Sequence, residues 1–353
     1  MSTAETQALL MALRSQFPPE VLLTDPADCH AYAYDNSRRA QVPAAVILAR
    51  DVDDVIALVD TCRRQRSPLT VRGRGTNTVG ATVPLQGGVV LSLERMQKIL
   101  DYSPADRSIT VEAGCLNGAV QTHVRADNLF WPPDPTSAPY SSIGGNLGCN
   151  AGGPQAVRYG TCRDNILGLE AVLGTGRLIR VGSRTTKSVV GLDLTRLLVG
   201  SEGTLGIITQ ATLKLAPLPQ ARRDVRAEFA SVEQAAQAVS LLLRSADAPA
   251  ACEFMDDRAV ELVRDATELH PQCRALLLLQ AHGRADAVGP LCRQWQSLLA
   301  AHTLSWQEAD DPAAVAALWQ ARKALSPRLR LLAPNKTNED VVVPVSRIPA
   351  LVA

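Results

Sequence analysis

The chain has no surplus of charge: its 353 residues hold 36 basic and 35 acidic side chains, a formal net charge of +1. Such a balance gives no field for nucleic acid or an anionic membrane, and leaves small molecules as the expected partners. The eight cysteines (Cys29, Cys62, Cys115, Cys149, Cys162, Cys252, Cys273 and Cys292) include no CxxC pair and no histidine at ligand spacing. That excludes a zinc or iron–sulfur frame and reads as buried thiols in a reducing compartment. No segment approaches the ~20 uninterrupted apolar residues of a membrane span, and no basic-then-apolar leader opens the chain, so the cytoplasm is the expected location. There is also no GxGxxG opening a helix with an acidic residue behind it, which sets a nicotinamide enzyme aside.

What is present is 46% hydrophobic and 20% charged, enough for two globular domains. The most distinctive stretch is WPPDPTSAPYSSIGGNLGCNAGG, residues 131–153. Pro132, Pro133, Pro135 and Pro139 oppose regular helix, while Gly144, Gly145, Gly148, Gly152 and Gly153 let the backbone turn and approach a ligand closely. A long irregular segment of this kind is expected to form a wall whose polar groups a bound molecule satisfies; a Pro- and Gly-rich surface loop is the alternative. Two further glycine-rich stretches, Arg72-Gly73-Arg74-Gly75-Thr76-Asn77 and Gly200-Ser201-Glu202-Gly203-Thr204-Leu205-Gly206, adjoin apolar strand-like runs. Three such turns fit one large phosphate-bearing cofactor.

The periodicity predicts a helix over 5–17, then a β-α-β unit: strand 44–49, a helix capped by Asp51, and strand 69–72. Strands are expected at 88–93, 99–103 and 108–112, a helix at 116–126, and a hairpin of 167–173 with 177–181 turning at 174–176. The alternating run 207–215 is expected to close that sheet, and Pro217 and Pro219 mark a boundary. From Arg223 the pattern becomes strand 225–229, helix 231–245, strand 251–255, helix 257–267, strand 275–281, helix 285–301 and strand 303–307. Ser231 with Gln234 reads as a capping box, Asp311-Pro312 as the start of a helix reaching Leu325, and 341–344 as a strand. A helix from Ser346 stops after about two turns, so the chain is expected to be a fragment or an early-ending member of a longer architecture.

Taken together and in order, VRGRGTNTVG, WPPDPTS, SSIGGNLGCNAGG, YGTCRDN, LLVGSEGTLGIIT, LWQARKAL and NEDVVVPVSRIP resemble the FAD-linked oxidases of the vanillyl-alcohol oxidase superfamily. The similarity is greatest to the branch of the glycolate oxidase large subunit, D-lactate dehydrogenases and D-2-hydroxyglutarate dehydrogenase. The resemblance implies an α+β chain: an N-terminal helical segment (1–42), a two-subdomain PCMH-type FAD-binding domain (43–219) and a partial ferredoxin-like α+β substrate domain (220–353) that covers the flavin. It implies non-covalent FAD, with Arg72, Gly73, Arg74, Gly75, Thr76 and Asn77 wrapping the pyrophosphate through main-chain amides. Pro133, Asp134, Thr136 and Ser137 would lie along the flavin. Ser142, Gly144, Gly145, Asn146, Asn150 and Gly152 would contact flavin, ribityl or pyrophosphate groups, with Glu202, Gly206 and Ile208 on the other side.

By the same resemblance Arg322 holds a substrate carboxylate, with Ser326 and Lys336 beside it. Longer members carry a histidine motif and acidic residues that bind a divalent metal and take the hydroxyl proton; none of it occurs here. His30, His123, His270, His282 and His302 are not promoted in its place, so no catalytic base and no metal ligand is assigned. The implied activity is oxidation of a D-2-hydroxy acid (glycolate, D-lactate or D-2-hydroxyglutarate) to the 2-oxo acid, with electrons passing to a quinone, a flavoprotein or another acceptor. The alternatives are oxidation of a different alcohol on FAD, or a non-catalytic flavin-binding subunit that needs a second chain.

Overall fold

The computed structural model describes residues 2–333 and 339–352. Contacts divide the chain into two units, Met1–Gly153 with Gly160–Leu218, and Pro154–Tyr159 with Pro219–Ala353.

The first unit opens with α1 (Thr3–Gln16), capped by Ser2 in a capping box with Glu5, then β1 (Leu22–Leu23) and α2 (Pro26–His30). The β-α-β pattern follows as β2 (Ala45–Leu48), α3 (Val52–Gln65) and β3 (Leu69–Arg72), and Asp51 accepts the Asp54 amide as the cap of α3. The two strands are not neighbours, because β4 (Val89–Ser92) inserts between them in parallel register with both, giving the order β1-β2-β4-β3. Leu9 and Leu13 of α1 and Val55, Leu58 and Cys62 of α3 bury against this sheet at the 3.6-residue spacing read in the sequence. The first 42 residues are thereby built into this unit: β1 pairs with β2, and α1 packs on α3.

A second sheet holds β5 (Ile99–Ser103) and β6 (Ser108–Glu112); α4 (Asn117–Val124) and β7 (Leu129–Phe130) come next in the chain. The proline-rich stretch is not wholly irregular. All of its prolines precede Tyr140, and α5 (Ile143–Gly148) forms immediately after them, burying Ile143 and Leu147 beside Trp131. Further on come α6 (Ala156–Tyr159), the hairpin β8 (Ile166–Val172) and β9 (Leu178–Gly182), α7 (Leu194–Leu198), β10 (Ile207–Lys214) and β11 (Ala216–Pro217). The sheet order is β5-β6-β10-β8-β9. Strand β10 is therefore central rather than the closing edge, paired on both sides because its alternate residues Ala211 and Leu213 are buried.

The second unit is a βαββαβ sheet of the ferredoxin-like kind: β12 (Ala221–Phe229), α8 (Val232–Arg244), β13 (Ala251–Met255), α9 (Asp257–Val263), β14 (Ala275–Gly283), α10 (Val288–Leu299) and β15 (Thr303–Ala309), in the order β13-β14-β12-β15. Val225, Ala227 and Phe229 face one core, under α8 and α10, while Asp224, Arg226 and Glu228 are buried on the other face. Ser231 accepts the Gln234 amide at 3.2 Å, but the Gln234 Oε1 is buried without a partner, so only half of the expected capping box exists. The single helix expected from 312 is two, α11 (Pro312–Leu318) and α12 (Gln320–Leu332), broken at Trp319, and α12 continues past Pro327. Residues 341–344 form no strand; α13 (Ile348–Val352) follows them.

Candidate functional site

At the end of β3 the chain leaves the sheet edge and turns through residues 73–77. Among the described residues, the amides of Gly73, Arg74, Gly75, Thr76 and Asn77 donate to no protein acceptor. Unpaired amides gathered in a turn suit an oxyanion. The turn is braced from behind. Arg72 is buried; its Nη1 donates to the Tyr34 carbonyl at 2.6 Å and its Nη2 to that of Ala31 at 3.4 Å, so this side chain is spent on the scaffold. Gly75 sits at φ +64°, where a Cβ would collide with that guanidinium. The Asn77 Oδ1 accepts the amides of Val79, Gly80 and Ala81 at 3.1–3.3 Å, and Arg74 lies 3.8 Å from Glu94.

The three glycine-rich stretches meet. A Cβ on Gly73 would strike the Ser142 hydroxyl, which caps α5 by accepting the Gly145 amide at 3.2 Å. Gly144 donates its amide to the Ala113 carbonyl at 2.7 Å, and a Cβ there would lie 2.7 Å from the Ala113 Cβ, so only glycine lets α5 seat on the end of β6. Gly200 and Glu202 donate their amides to Leu147 and Gly148 at 2.9 Å, which attaches the third stretch. Between them lies a small hollow of about 60 Å³. Of the predicted residues, Gly73, Ser142, Gly144, Gly145, Glu202, Gly206 and Ile208 line it. A second hollow of about 310 Å³ shares Val71, Gly203, Gly206 and Ile207 with the first and runs on beside α3.

The lining of these hollows does not include the other predicted residues. Arg72, Arg74, Gly75, Thr76 and Asn77 form the turn described above; Pro133, Asp134, Thr136, Ser137, Asn146, Asn150 and Gly152 stand outside both hollows. The Asn146 Oδ1 is turned inward, accepting from Asn117 Nδ2 at 3.1 Å and from the Ser141 hydroxyl at 3.3 Å. The Asn150 Oδ1 accepts the Arg163 amide at 3.0 Å, and Thr136 is exposed. Asn117, absent from the sequence reading, is fully buried and also donates to the Pro133 carbonyl at 3.2 Å. Gln121, one turn later, bonds both the amide and the carbonyl of Trp131. Two amides four residues apart on a buried helix face, just before the prolines, were the available signal. Gly148, one of the wall glycines read in the sequence, lines the hollow too, while Ala113 and Cys149 line it and were likewise missed.

In the second unit Arg322 lies on α12, and its Nε donates to the Glu253 Oε2 at 2.7 Å. Among the described residues its Nη groups donate to nothing. Ser326 follows on the same helix, and Lys336 lies outside the described residues. No group of three His, Cys, Asp or Glu side chains able to hold a metal occurs among the described residues. Nor is any helix there long and apolar enough to cross a membrane.

Residues 43–182 match the family described as FAD binding domain, and residues 218–353 match FAD linked oxidases, C-terminal domain. The chain is 36% identical over 325 residues to the glycolate oxidase subunit GlcD of Bacillus subtilis, covering 91% of this chain and 69% of that protein. The chain belongs to the FAD-linked oxidases. It is also 32% identical over 359 residues to a D-2-hydroxyglutarate dehydrogenase of Xanthomonas citri pv. viticola, covering 99% of this chain and 74% of that one. Among solved structures it superposes on alkyldihydroxyacetonephosphate synthase with a TM-score of 0.74 at 21% identity, over 92% of this chain and 68% of that one, a likeness of fold. FAD is thus the cofactor of this oxidoreductase, and the residues fit it: free amides for a pyrophosphate, glycines where a Cβ would fill the cradle, and two adjoining hollows lined by the glycine-rich stretches.

Proposed function

We propose that this FAD-linked oxidase converts a D-2-hydroxy acid of the glycolate, D-lactate or D-2-hydroxyglutarate type to the 2-oxo acid. The amides of residues 73–77 take the pyrophosphate, with the glycines of α5 and of the third stretch against the rest of the cofactor. Residues 131–153 form the wall along the flavin. Bound FAD supplies the hydride acceptor. The observation that carries the substrate class is Arg322: its Nε is anchored on Glu253 and its Nη edge is left to donate two parallel hydrogen bonds to a planar carboxylate. Support comes from relatives named for glycolate and D-2-hydroxyglutarate.

The test is the visible spectrum of the FAD-loaded protein under anaerobic conditions before and after glycolate, D-lactate or D-2-hydroxyglutarate. Bleaching by one of them is expected. An oxidised spectrum that persists with all three, but bleaches with a non-acidic alcohol, would refute the acid specificity. A second reading takes the chain as a flavin-binding subunit that works with another chain, supported by the Bacillus subtilis relative being a subunit by name. Flavin that binds, stays oxidised with every substrate alone, and bleaches only when a co-purifying subunit is restored would favour it.

A further inference from the structure

Three side-chain amides stand in series behind the proline stretch, and the backbone of Trp131 fixes which way each one points. The Gln121 Oε1 accepts the Trp131 amide at 3.2 Å, and the Gln121 Nε2 donates to the Trp131 carbonyl at 2.7 Å. A backbone residue cannot exchange its donor and its acceptor, so the Gln121 amide is held in one of its two orientations. The same Nε2 donates to the Asn117 Oδ1 at 3.1 Å, which leaves Asn117 its Nδ2 for the bonds that follow. That nitrogen donates to the Pro133 carbonyl at 3.2 Å and to the Asn146 Oδ1 at 3.1 Å. The Ser141 hydroxyl donates to the same Asn146 oxygen at 3.3 Å. Each bond hands the polarity on, and the series ends at Asn146.

Asn146 therefore points its Nδ2 away from the network. Among the described residues that nitrogen donates to nothing, and it is not one of the buried side-chain atoms left without a partner, so it stays open to a ligand atom. The whole series lies within the first unit. Asn117 opens α4 and is fully buried, and Asn146, on α5, is 4% exposed. Buried amides are costly unless every bond is made, and apolar residues at 117 and 121 would pack here without that demand. Apolar packing could not dictate the orientation of the Asn146 amide, nor tie the Pro133 carbonyl to α5 as Asn117 does.

We propose that Gln121 and Asn117 are positioning residues that fix Asn146 as a hydrogen-bond donor to an acceptor atom of the flavin ring. This rests on the reading that residues 131–153 lie along the flavin. A donor there favours the negative charge that a flavin gains on reduction, and so raises its reduction potential. FAD-loaded Asn146→Ala and Asn117→Asp are compared with the parent by the midpoint potential and absorption maximum of the flavin, and by titration with FAD. Asn146→Ala loses the donor: the potential should fall, the band should shift, and FAD should bind about three- to tenfold more weakly, the loss of one hydrogen bond. In Asn117→Asp the carboxylate has no proton for the Asn146 Oδ1, so Asn146 turns over and offers its oxygen, and the potential should fall at least as far. At lower pH, where that buried carboxyl takes up a proton and can donate again, the difference from the parent should shrink, a recovery that a merely distorted fold would not show. The double variant should match Asn146→Ala alone in potential, because the residues act as one unit. If Asn146→Ala moves the potential and the band but Asn117→Asp leaves both as in the parent, the positioning role alone is overturned. If neither variant moves them, the wall reading falls with it. Should Asn117→Asp not fold, Gln121→Glu, which removes the proton offered to Asn117, carries the same test.

Discussion

The indole Nε1 of Trp319 donates to a carboxylate oxygen of Asp224 at 2.7 Å, joining the break between α11 and α12 to the central part of the β12–β14 ladder. Asp224 is fully buried, and Arg222 holds the same carboxylate through Nε at 2.6 Å and Nη2 at 2.8 Å. Removing the carboxylate leaves the Trp319 indole without its acceptor, while Arg222, 41% exposed, can turn to water. Asp224→Ala is expected to destabilise the protein by about 1–3 kcal/mol in urea denaturation. Asp224→Asn, which keeps an acceptor for Trp319, should lose less. Equal losses would mean that the indole bond contributes nothing.

Gly144 tests the cradle. A Cβ there meets the Ala113 side chain at 2.7 Å and its carbonyl oxygen at 2.9 Å, and both residues line the hollow assigned to the cofactor. Backbone on one side and a helix on the other leave little room to yield, so overpacking of about 1–3 kcal/mol is expected. Gly144→Ala should therefore weaken FAD binding about tenfold or more, whereas Gly289→Ala on α10, where a Cβ would meet only ordinary contacts, should not. Unchanged flavin affinity in Gly144→Ala would show that α5 can shift freely.

The elements legible in the sequence are those governed by local rules. Asp51 caps α3 and the alternation of β10 is real from Thr209 to Lys214, because each depends on residues a few positions apart. What escaped was decided at a distance. Helix α5 contains three glycines among its six residues and has poor intrinsic propensity; it exists because Ile143 and Leu147 bury against Trp131 and because its amides reach Ala113 and Cys115. No proline or glycine lies between Ala313 and Ser326, so nothing local marks the break at Trp319, whose partner Asp224 is 95 residues away. The cradle residues were legible as glycine clusters. That Arg72 and Asn146 would turn inward was not, since their partners Tyr34 and Asn117 carry no pattern of their own.

Acid should reveal His282. Burial, with the guanidinium groups of Arg222 and Arg158 nearby, holds its folded value near 4, below the ordinary 6.5, so the unfolded chain takes up a proton first as pH falls. Stability is flat with respect to this group above pH 6.5 and declines between 6.5 and about 4, by up to about 3 kcal/mol. His282→Gln should remove that limb of the curve. A second loss has another origin: Asp54 is held below the usual carboxylate range by Arg50, so its contribution is present above its ordinary value and vanishes at still lower pH. That loss should persist in His282→Gln. Parallel pH curves for parent and variant would refute the neutral imidazole.

Arg322 and Glu253 give the sharpest test of the substrate reading. If the Nη edge of Arg322 binds a carboxylate, Arg322→Met in FAD-loaded protein should raise the dissociation constant of the hydroxy acid by roughly 10- to 100-fold, the range for charge-assisted hydrogen bonds, without altering FAD affinity. Glu253 then has two opposed effects: as an anchor it orients the guanidinium at 2.7 Å, and as a charge it repels the incoming anion. Glu253→Gln keeps an acceptor for Nε and deletes the repulsion, so the acid should bind as well or tighter. Glu253→Ala deletes both, and because the freed side chain must be ordered again on binding, the acid should bind more weakly than to the Gln variant. The opposite order, Ala tighter than Gln, would mean that the ion pair masks Arg322 rather than presenting it, and the carboxylate would then have to be held by another residue.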